Sequence, residues 1–237
     1  MKILITLILT CISLTVYSQN VTIPADYEAK QNLRELGSRD GLGNVKTFDS
    51  RYEGVKGSPF IFEAWRNGEV FLSDKKRVFF NDMNYNSFQN EIVYLEVGSN
   101  RAMVMNKYLV DFFRLYGEDT LTFVPLQLPG ESDRIFAQVL YNRNSLVYKI
   151  YKKEFLNANY EGGYSAERRH DEFVDKYDLF FRKHGEDVLY KVKRSKKYMI
   201  SAFPDHSREI SKFINSNKLK FKDEADVMAL MKYYDEL

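Results

Sequence analysis

Hydrophobic and polar residues alternate along the middle of the chain with the two-residue period of half-buried β-strands. The clearest alternating runs are residues 92–97, 120–123, 146–150, 177–182 and 188–193. Turn-forming residues separate the runs at Asn67-Gly68, at Pro129-Gly130 and at 73–75, 98–100, 117–119 and 142–144. Short strands that follow one another through tight turns predict an antiparallel β meander.

The hydrophobic period changes after Arg194 from that of a strand to that of an amphipathic helix. Ser195 and Asp205 stand where each can cap a short helix, and a third helix is predicted from about Asp223. Each helix would carry one apolar stripe, and such a stripe has to be buried against the sheet or against a neighbouring helix. The C-terminal tail is therefore predicted to form a helical cover over the sheet.

These elements predict an α+β fold that is mainly β, with an antiparallel meander in the form of a sandwich or an open barrel and a C-terminal helical cover. The meander spans 45–194 and the helical tail 195–237, after a polar lead-in over 19–44. No proline- or serine-rich linker separates these segments. We therefore expect residues 19–237 to form a single secreted domain.

The first 18 residues have the three parts of a secretory signal peptide. Lys2 gives a basic start, residues 3–16 form an apolar run, and cleavage is expected after Ser18. A membrane-spanning helix needs about 20 apolar residues, and this run is shorter. The alternative to a cleaved signal peptide is an uncleaved membrane anchor. We therefore expect an exported protein that is periplasmic, outer-membrane-associated or extracellular, with no transmembrane span after signal cleavage.

Composition and charge narrow the class of protein further. A hydrophobic content of 44% with 15% aromatic residues supplies a core and excludes global disorder. The net charge of +2 creates no long-range field that would select nucleic acid or an anionic membrane. Cys11 lies inside the signal peptide, so the mature chain has no thiol, which is more typical of a bacterial envelope than of disulfide-dependent secretion.

Few residues point to catalysis. The chain lacks the common zinc, phosphate-loop and dinucleotide motifs, and none of its histidines has a second ligand at metal-binding spacing, so no metal or cofactor is expected. His170, beside Asp171 and Glu172, is a candidate general base near the end of the longest predicted loop. That loop contains Gly162-Gly163 and is either a mobile flap or an ordinary solvated connection.

The densest positive cluster consists of Lys191, Lys193, Arg194, Lys196 and Lys197. Helix N-termini present unpaired N–H groups, and Ser195 opens a helix within this cluster. The cluster is therefore a candidate site for phosphate, a lipid head group or an acidic polymer. The alternative is the solvated outer face of an ordinary strand, where lysine also prevents edge pairing.

Tyr151, Tyr160 and Tyr164 lie near the longest predicted loop. Their rings are candidates for stacking on a sugar or a peptide ligand. Alternatively, these side chains simply cover the surface of the sheet.

One stretch leads from Gly57-Ser58-Pro59-Phe60 to Trp65 and Gly68-Glu69-Val70, and a second from Phe203-Pro204-Asp205 through Glu209-Ile210 to Tyr233-Tyr234. This layout resembles a group of uncharacterised exported proteins common in Bacteroidota. The resemblance implies an envelope protein and carries no functional residue across to this chain.

The sequence as a whole predicts a non-enzymatic binding or scaffold protein of the bacterial cell envelope. A protein is the expected partner, because a net charge near zero and abundant tyrosine suit protein contacts, and an anionic polymer or lipid head group is the other candidate. The alternative function is a hydrolase that acts on an envelope polymer, with His170, Asp171 and Glu172 as its catalytic group.

Overall fold

The computed structural model describes residues 55–99, 101–158 and 170–237. The predicted signal peptide, the lead-in and most of the longest predicted loop lie outside these ranges. The described strands are β1 (Arg66–Leu72), β2 (Arg77–Asn86), β3 (Glu91–Leu95), β4 (Ala102–Val104), β5 (Val110–Leu115), β6 (Leu121–Gln127), β7 (Arg134–Asn142), β8 (Leu146–Leu156), β9 (Glu172–Arg182) and β10 (Tyr190–Lys191). The described α-helices are α1 (Lys196–Ser201), α2 (Ser207–Ser216) and α3 (Glu224–Tyr234).

All ten strands belong to one open sheet in the order β10-β9-β8-β7-β6-β5-β1-β2-β3-β4, and every neighbouring pair is antiparallel. Two meanders, β1 to β4 and β5 to β10, meet where β1 pairs with β5. The structure confirms the predicted mainly β fold with its antiparallel meander and C-terminal helices. The described strands form a single sheet, not the two sheets of a sandwich.

The link from β4 to β5 requires the first meander to curl. In a flat sheet these strands would lie four spacings, or about 19 Å, apart. The short linker contains the 3₁₀ turn Lys107–Leu109, which advances only about 2 Å per residue. Main-chain hydrogen bonds fix both of its ends, from Met105 N–H to Ile92 O and from Ser73 N–H to Leu109 O, each 2.9 Å. The meander therefore curves around one core.

Two hydrophobic clusters lie on the same face of the sheet. The first is enclosed by β1 to β7 and is centred on the buried rings of Tyr85, Phe113, Phe123 and Phe136. The second lies between β8, β9 and the three helices. Val147 belongs to the second cluster, and Tyr151 packs against the first. Both residues lie on β8, four positions apart, so their side chains point to the same face of the sheet. The C-terminal tail is therefore the predicted cover of the sheet.

Two of the three predicted helix starts are confirmed. The Ser195 hydroxyl accepts a hydrogen bond from the Tyr198 N–H at 3.3 Å at the start of α1. The Asp223 carboxylate accepts one from the Asp226 N–H at 3.2 Å at the start of α3. The predicted cap Asp205 is wrong, because this residue lies inside a 3₁₀ turn and α2 begins after it without a side-chain cap.

The predicted turn at Asn67-Gly68 is also wrong, since both residues lie inside β1. Gly68 is required there by the close approach of two neighbouring strands. A Cβ at this position would lie 2.7 Å from the carbonyl oxygen of Arg114 on β5 and would also meet the methyl group of Met83 on β2. The glycine that sequence reasoning assigned to a turn therefore serves strand packing.

Candidate functional site

A groove runs along the outer edge of β9 because its neighbour β10 is very short. β9 has 11 residues, and β10 has two and pairs only with Phe180 and Phe181. The predicted strand at 188–193 fails at its start, where Val188 is 54% exposed. Beyond β10, the edge of β9 borders an open cavity of about 440 Å³ that is also lined by Phe221 and Lys222, from the segment between α2 and α3.

The backbone of β9 has hydrogen-bonding groups in this groove that pair with no other described residue. The Phe173 N–H donates outward to Lys56 O at 2.9 Å, and the Leu179 carbonyl accepts from the Val192 N–H at 2.8 Å. Alternate residues of an antiparallel strand direct their main-chain groups to the same side, so Asp175 and Tyr177 also face outward. No main-chain group among the described residues pairs with these two on the outer side.

The groove has an apolar base and one large exposed ring. Leu179 and Phe221 line it and are buried. Tyr177 is 43% exposed, and its hydroxyl donates to the carbonyl of Lys222 at 3.4 Å. Its ring is therefore held at the mouth of the groove, where it is available for contact with a ligand.

The acidic residues of the groove already have cationic partners. Asp178 accepts from Lys152 at 2.6 Å and from Lys191 at 2.9 Å. Partial burial acts to raise the pKa of Asp178, but these two lysines outweigh it and hold the pKa below its usual value. Asp175 likewise pairs with Lys153.

Two basic side chains that line the groove have no acidic partner among the described residues. These are the exposed Arg194, which follows β10, and the exposed Lys222, which lies between α2 and α3. Because the acids are neutralised by lysines of the sheet, these two charges give the groove a positive surplus. The groove is therefore suited to a ligand that carries negative charge.

The structure divides the predicted basic cluster. Lys191 binds Asp178 and Arg194 lines the groove, whereas Lys196 donates to the Asn215 side chain of α2 at 3.3 Å. Lys193 lies 4.3 Å from the ring centre of Tyr198, and Lys197 is exposed on α1.

Of the three predicted stacking tyrosines, Tyr160 and Tyr164 lie outside the described residues. Tyr151 is half-buried, and its hydroxyl donates to the Gln138 side chain at 2.7 Å. It is the register partner of Tyr177 on β9. Sequence reasoning selected the more buried member of this pair and missed the exposed one, because the alternation of 177–182 placed Tyr177 among the inward residues.

His170 is exposed at the start of the segment that leads into β9. Its two acidic neighbours have structural partners. Asp171 accepts from the Ala158 N–H at 2.6 Å, which ties together the two ends of the loop, and Glu172 pairs with Lys56 at 3.1 Å. Neither carboxylate is therefore held in place by an interaction with the imidazole.

Phe221 and Lys222 are groove residues that sequence reasoning missed. They stand more than 40 positions after the β9 residues that they face, in a segment with neither strand nor helix period. The one signal available was that this segment joins two helices that both needed to pack on the sheet. Its contact with the β9 edge depends on how those helices dock.

Fold and groove together define a mainly antiparallel β protein with helices on one face and an accessible strand edge. Comparisons with protein-family models, with curated proteins and with solved structures found no match to this chain. No helix in the described ranges is long and apolar enough to cross a membrane. Within the same ranges, no group of three or more His, Cys, Asp or Glu side chains is placed to hold a metal ion.

Proposed function

We propose that this protein is a non-enzymatic binding module that takes an extended segment of a partner protein as an added strand on the outer edge of β9. The proposal places it in the bacterial cell envelope, in keeping with the signal-type N-terminus and with the layout that resembles exported Bacteroidota proteins. The observation that carries the proposal is the stretch of β9 between the Lys56 bridge and β10, which pairs with no described residue on its outer side.

Strand addition uses main-chain hydrogen bonds for affinity and side-chain pockets for selectivity. The edge from Phe173 to Leu179 spans six residue steps, or about 20 Å of extended chain. Asp175 and Tyr177 present outward N–H and C=O groups in the middle of this span. A partner strand there would complete the ladder that β10 begins.

The side chains of the groove favour an acidic partner segment. Arg194 and Lys222 supply the positive surplus, and Tyr177 supplies an exposed ring with a polar end. The expected ligand is therefore an extended peptide that has a carboxylate near an apolar or aromatic residue.

The test is a pair of substitutions at one position. Tyr177→Pro removes the outward N–H and leaves the β8 ladder intact, because the inward main-chain groups belong to the neighbouring residues. Tyr177→Ala removes the same ring and keeps the N–H. With a photo-reactive amino acid in place of Lys176, we expect a crosslinked partner in the parent and in Tyr177→Ala, and its loss in Tyr177→Pro. Equal crosslinking in both variants would overturn strand addition.

The envelope location has its own measurement. Mass spectrometry of the protein recovered from fractionated cells should find a mature chain that begins at Gln19 in the envelope fraction. An intact leader on a cytosolic protein would contradict this part of the proposal and leave the edge-binding experiment valid.

A further inference from the structure

The accessible stretch of the β9 edge is closed at both ends by the backbone of the same chain. At its start, Lys56 pairs with Glu172 as a parallel bridge, and the chain then turns away at Gly57, where φ is 81°. At its end, the Val192 N–H donates to the Leu179 carbonyl at 2.8 Å, directly after β10. A strand added between these two points has room for about six residues and cannot continue along the edge at either end.

This closure favours the end of a partner chain over an internal segment. An internal segment would have to leave the edge sharply at both ends of the stretch, beside Lys56 and again beside Val192. A chain end has to leave the edge once. The site is therefore better suited to a terminus than to a loop or a linker of the partner.

The charges of the groove decide which terminus fits. Arg194 and Lys222 line the cavity together with Val192, the residue directly after β10, so the positive surplus lies at the β10 end of the stretch. These two cations would attract a main-chain carboxylate and repel a main-chain ammonium group. The C-terminus of the partner is therefore expected beside β10. Its chain then runs parallel to β9, in the direction that Lys56 already has.

A main-chain donor of β9 is available to this carboxylate. The Leu179 carbonyl is taken by the Val192 N–H, whereas the Leu179 N–H has no acceptor on the outer side among the described residues. In a parallel ladder, the outward N–H groups of Asp175 and Tyr177 would bond to internal carbonyls of the added strand. The next donor in this row, the Leu179 N–H, would bond to the terminal carboxylate. One backbone donor and two cations would then hold that group.

The apolar base of the groove adds a preference for one side chain of the ligand. In the parallel arrangement the terminal residue lies opposite Asp178, so the penultimate side chain is directed to the face of the sheet that carries Leu179. Leu179 and Phe221 are buried in the same hydrophobic cluster and line the cavity. We therefore expect an apolar or aromatic residue in the penultimate position.

We propose that the β9 groove binds the C-terminal end of a partner protein, added parallel to β9, with its terminal carboxylate held by Arg194, Lys222 and the Leu179 N–H. This inference rests on the proposed strand addition and specifies its ligand. It places the negative charge of the partner segment on the main-chain terminus, not on an aspartate or glutamate side chain.

The test compares free and amidated C-termini on an array of N-acetylated hexapeptides of varied sequence. Amidation removes the terminal charge and leaves every side chain unchanged. We expect the purified protein to bind a subset of the free-carboxylate peptides, and to bind their amidated forms at least about tenfold more weakly. Raising the ionic strength should weaken the binding of the free-carboxylate peptides. Apolar or aromatic penultimate residues should predominate among the bound peptides.

Substitutions identify the side chains that hold the carboxylate. Arg194→Gln and Lys222→Gln should each weaken the binding of free-carboxylate peptides about tenfold and leave that of the amidated forms unchanged. Both side chains are exposed and have no ion pair among the described residues, so neither substitution should disturb the fold. The matched control is Lys197→Gln, which removes an exposed charge of the same basic cluster on α1 and should leave binding unchanged.

The direction of the bound peptide has its own readout. A nitroxide on the N-terminus of a bound peptide should broaden the NMR amide signals around Lys56 more than those around Val192, because the parallel arrangement places the label at the Lys56 end. Stronger broadening around Val192 would overturn the parallel arrangement.

The outcomes separate this inference from strand addition itself. If free and amidated peptides bind equally and Tyr177→Pro abolishes the binding of both, capture of the terminus is wrong and strand addition stands. If carboxylate-dependent binding survives Tyr177→Pro, strand addition is wrong and this proposal falls with it. The proposal is also overturned if no free-carboxylate peptide binds, or if Lys197→Gln weakens binding as much as Arg194→Gln.

Discussion

Replacing Gly68 by alanine tests the close approach of β1 to β5 at the junction of the two meanders. The added Cβ would lie 2.7 Å from the carbonyl oxygen of Arg114 and would also meet the methyl group of Met83. The methionine methyl can rotate away. The carbonyl belongs to the backbone of β5, beside the register pair of Gly68 and Leu115, so the two strands would have to separate by several tenths of an ångström.

The expected cost follows from two opposing effects. Forcing extra volume into a packed site costs about 1–3 kcal/mol. The smaller conformational freedom of alanine in the unfolded chain returns about 0.4–1 kcal/mol. We therefore expect Gly68→Ala to lower the free energy of unfolding by about 1–2 kcal/mol, which for a chain of this size lowers Tm by about 2–8 °C.

Urea unfolding followed by circular dichroism measures this difference, with Gly117→Ala as the matched control. Gly117 has no positive φ, and its added Cβ would make only ordinary contacts, the nearest 3.6 Å from the carbonyl oxygen of Asp119. The control should be unchanged or stabilised by up to about 1 kcal/mol. Equal unfolding midpoints for the two variants would refute the assignment of Gly68 to strand packing.

Three further predictions concern single polar contacts. The lysine partners of Asp178 lower the pKa of its carboxyl group, so the ion pairs stabilise the fold above the ordinary pKa of 3.8, and this stabilisation is lost as the pH falls through the lower folded pKa. Asp178→Asn should therefore cost under about 1 kcal/mol at neutral pH. It should also flatten the acid side of the stability profile measured by urea unfolding. Asp235 accepts from the Tyr141 hydroxyl at 2.9 Å, and Asp235→Ala should cost about 1–3 kcal/mol and speed amide hydrogen exchange in the β7-β8 hairpin, whereas unchanged exchange would contradict this anchoring role. The buried Tyr85 hydroxyl donates to the Asn90 side chain at 2.9 Å, so Tyr85→Phe should cost about 1 kcal/mol in thermal unfolding, and an equally stable variant would show that this bond contributes nothing.

The sequence by itself determined the type of most elements, because the direction of a side chain depends on local backbone geometry. The two-residue alternation predicted the strands around Phe123 and Ile150, and the change of period after Arg194 predicted the helical tail. Ser195 was predicted as a cap and Asp223 as the approximate start of a helix, because both signals depend on the residues that follow in the chain.

Only the tertiary structure decided how those elements meet. The return of β5 to the side of β1 depends on the curl of the first meander, and the groove depends on the docking of the helices that bring Phe221 to the edge of β9. Gly68 has the local signature of a turn, and Glu69 looks like an ordinary outward residue of a strand. The role of Gly68 comes from Arg114 and Met83, and the burial of Glu69 comes with its ion pairs to Arg77 and Arg114. Strand pairing sets the positions of these partners, and no local pattern in a sequence encodes the register between distant strands.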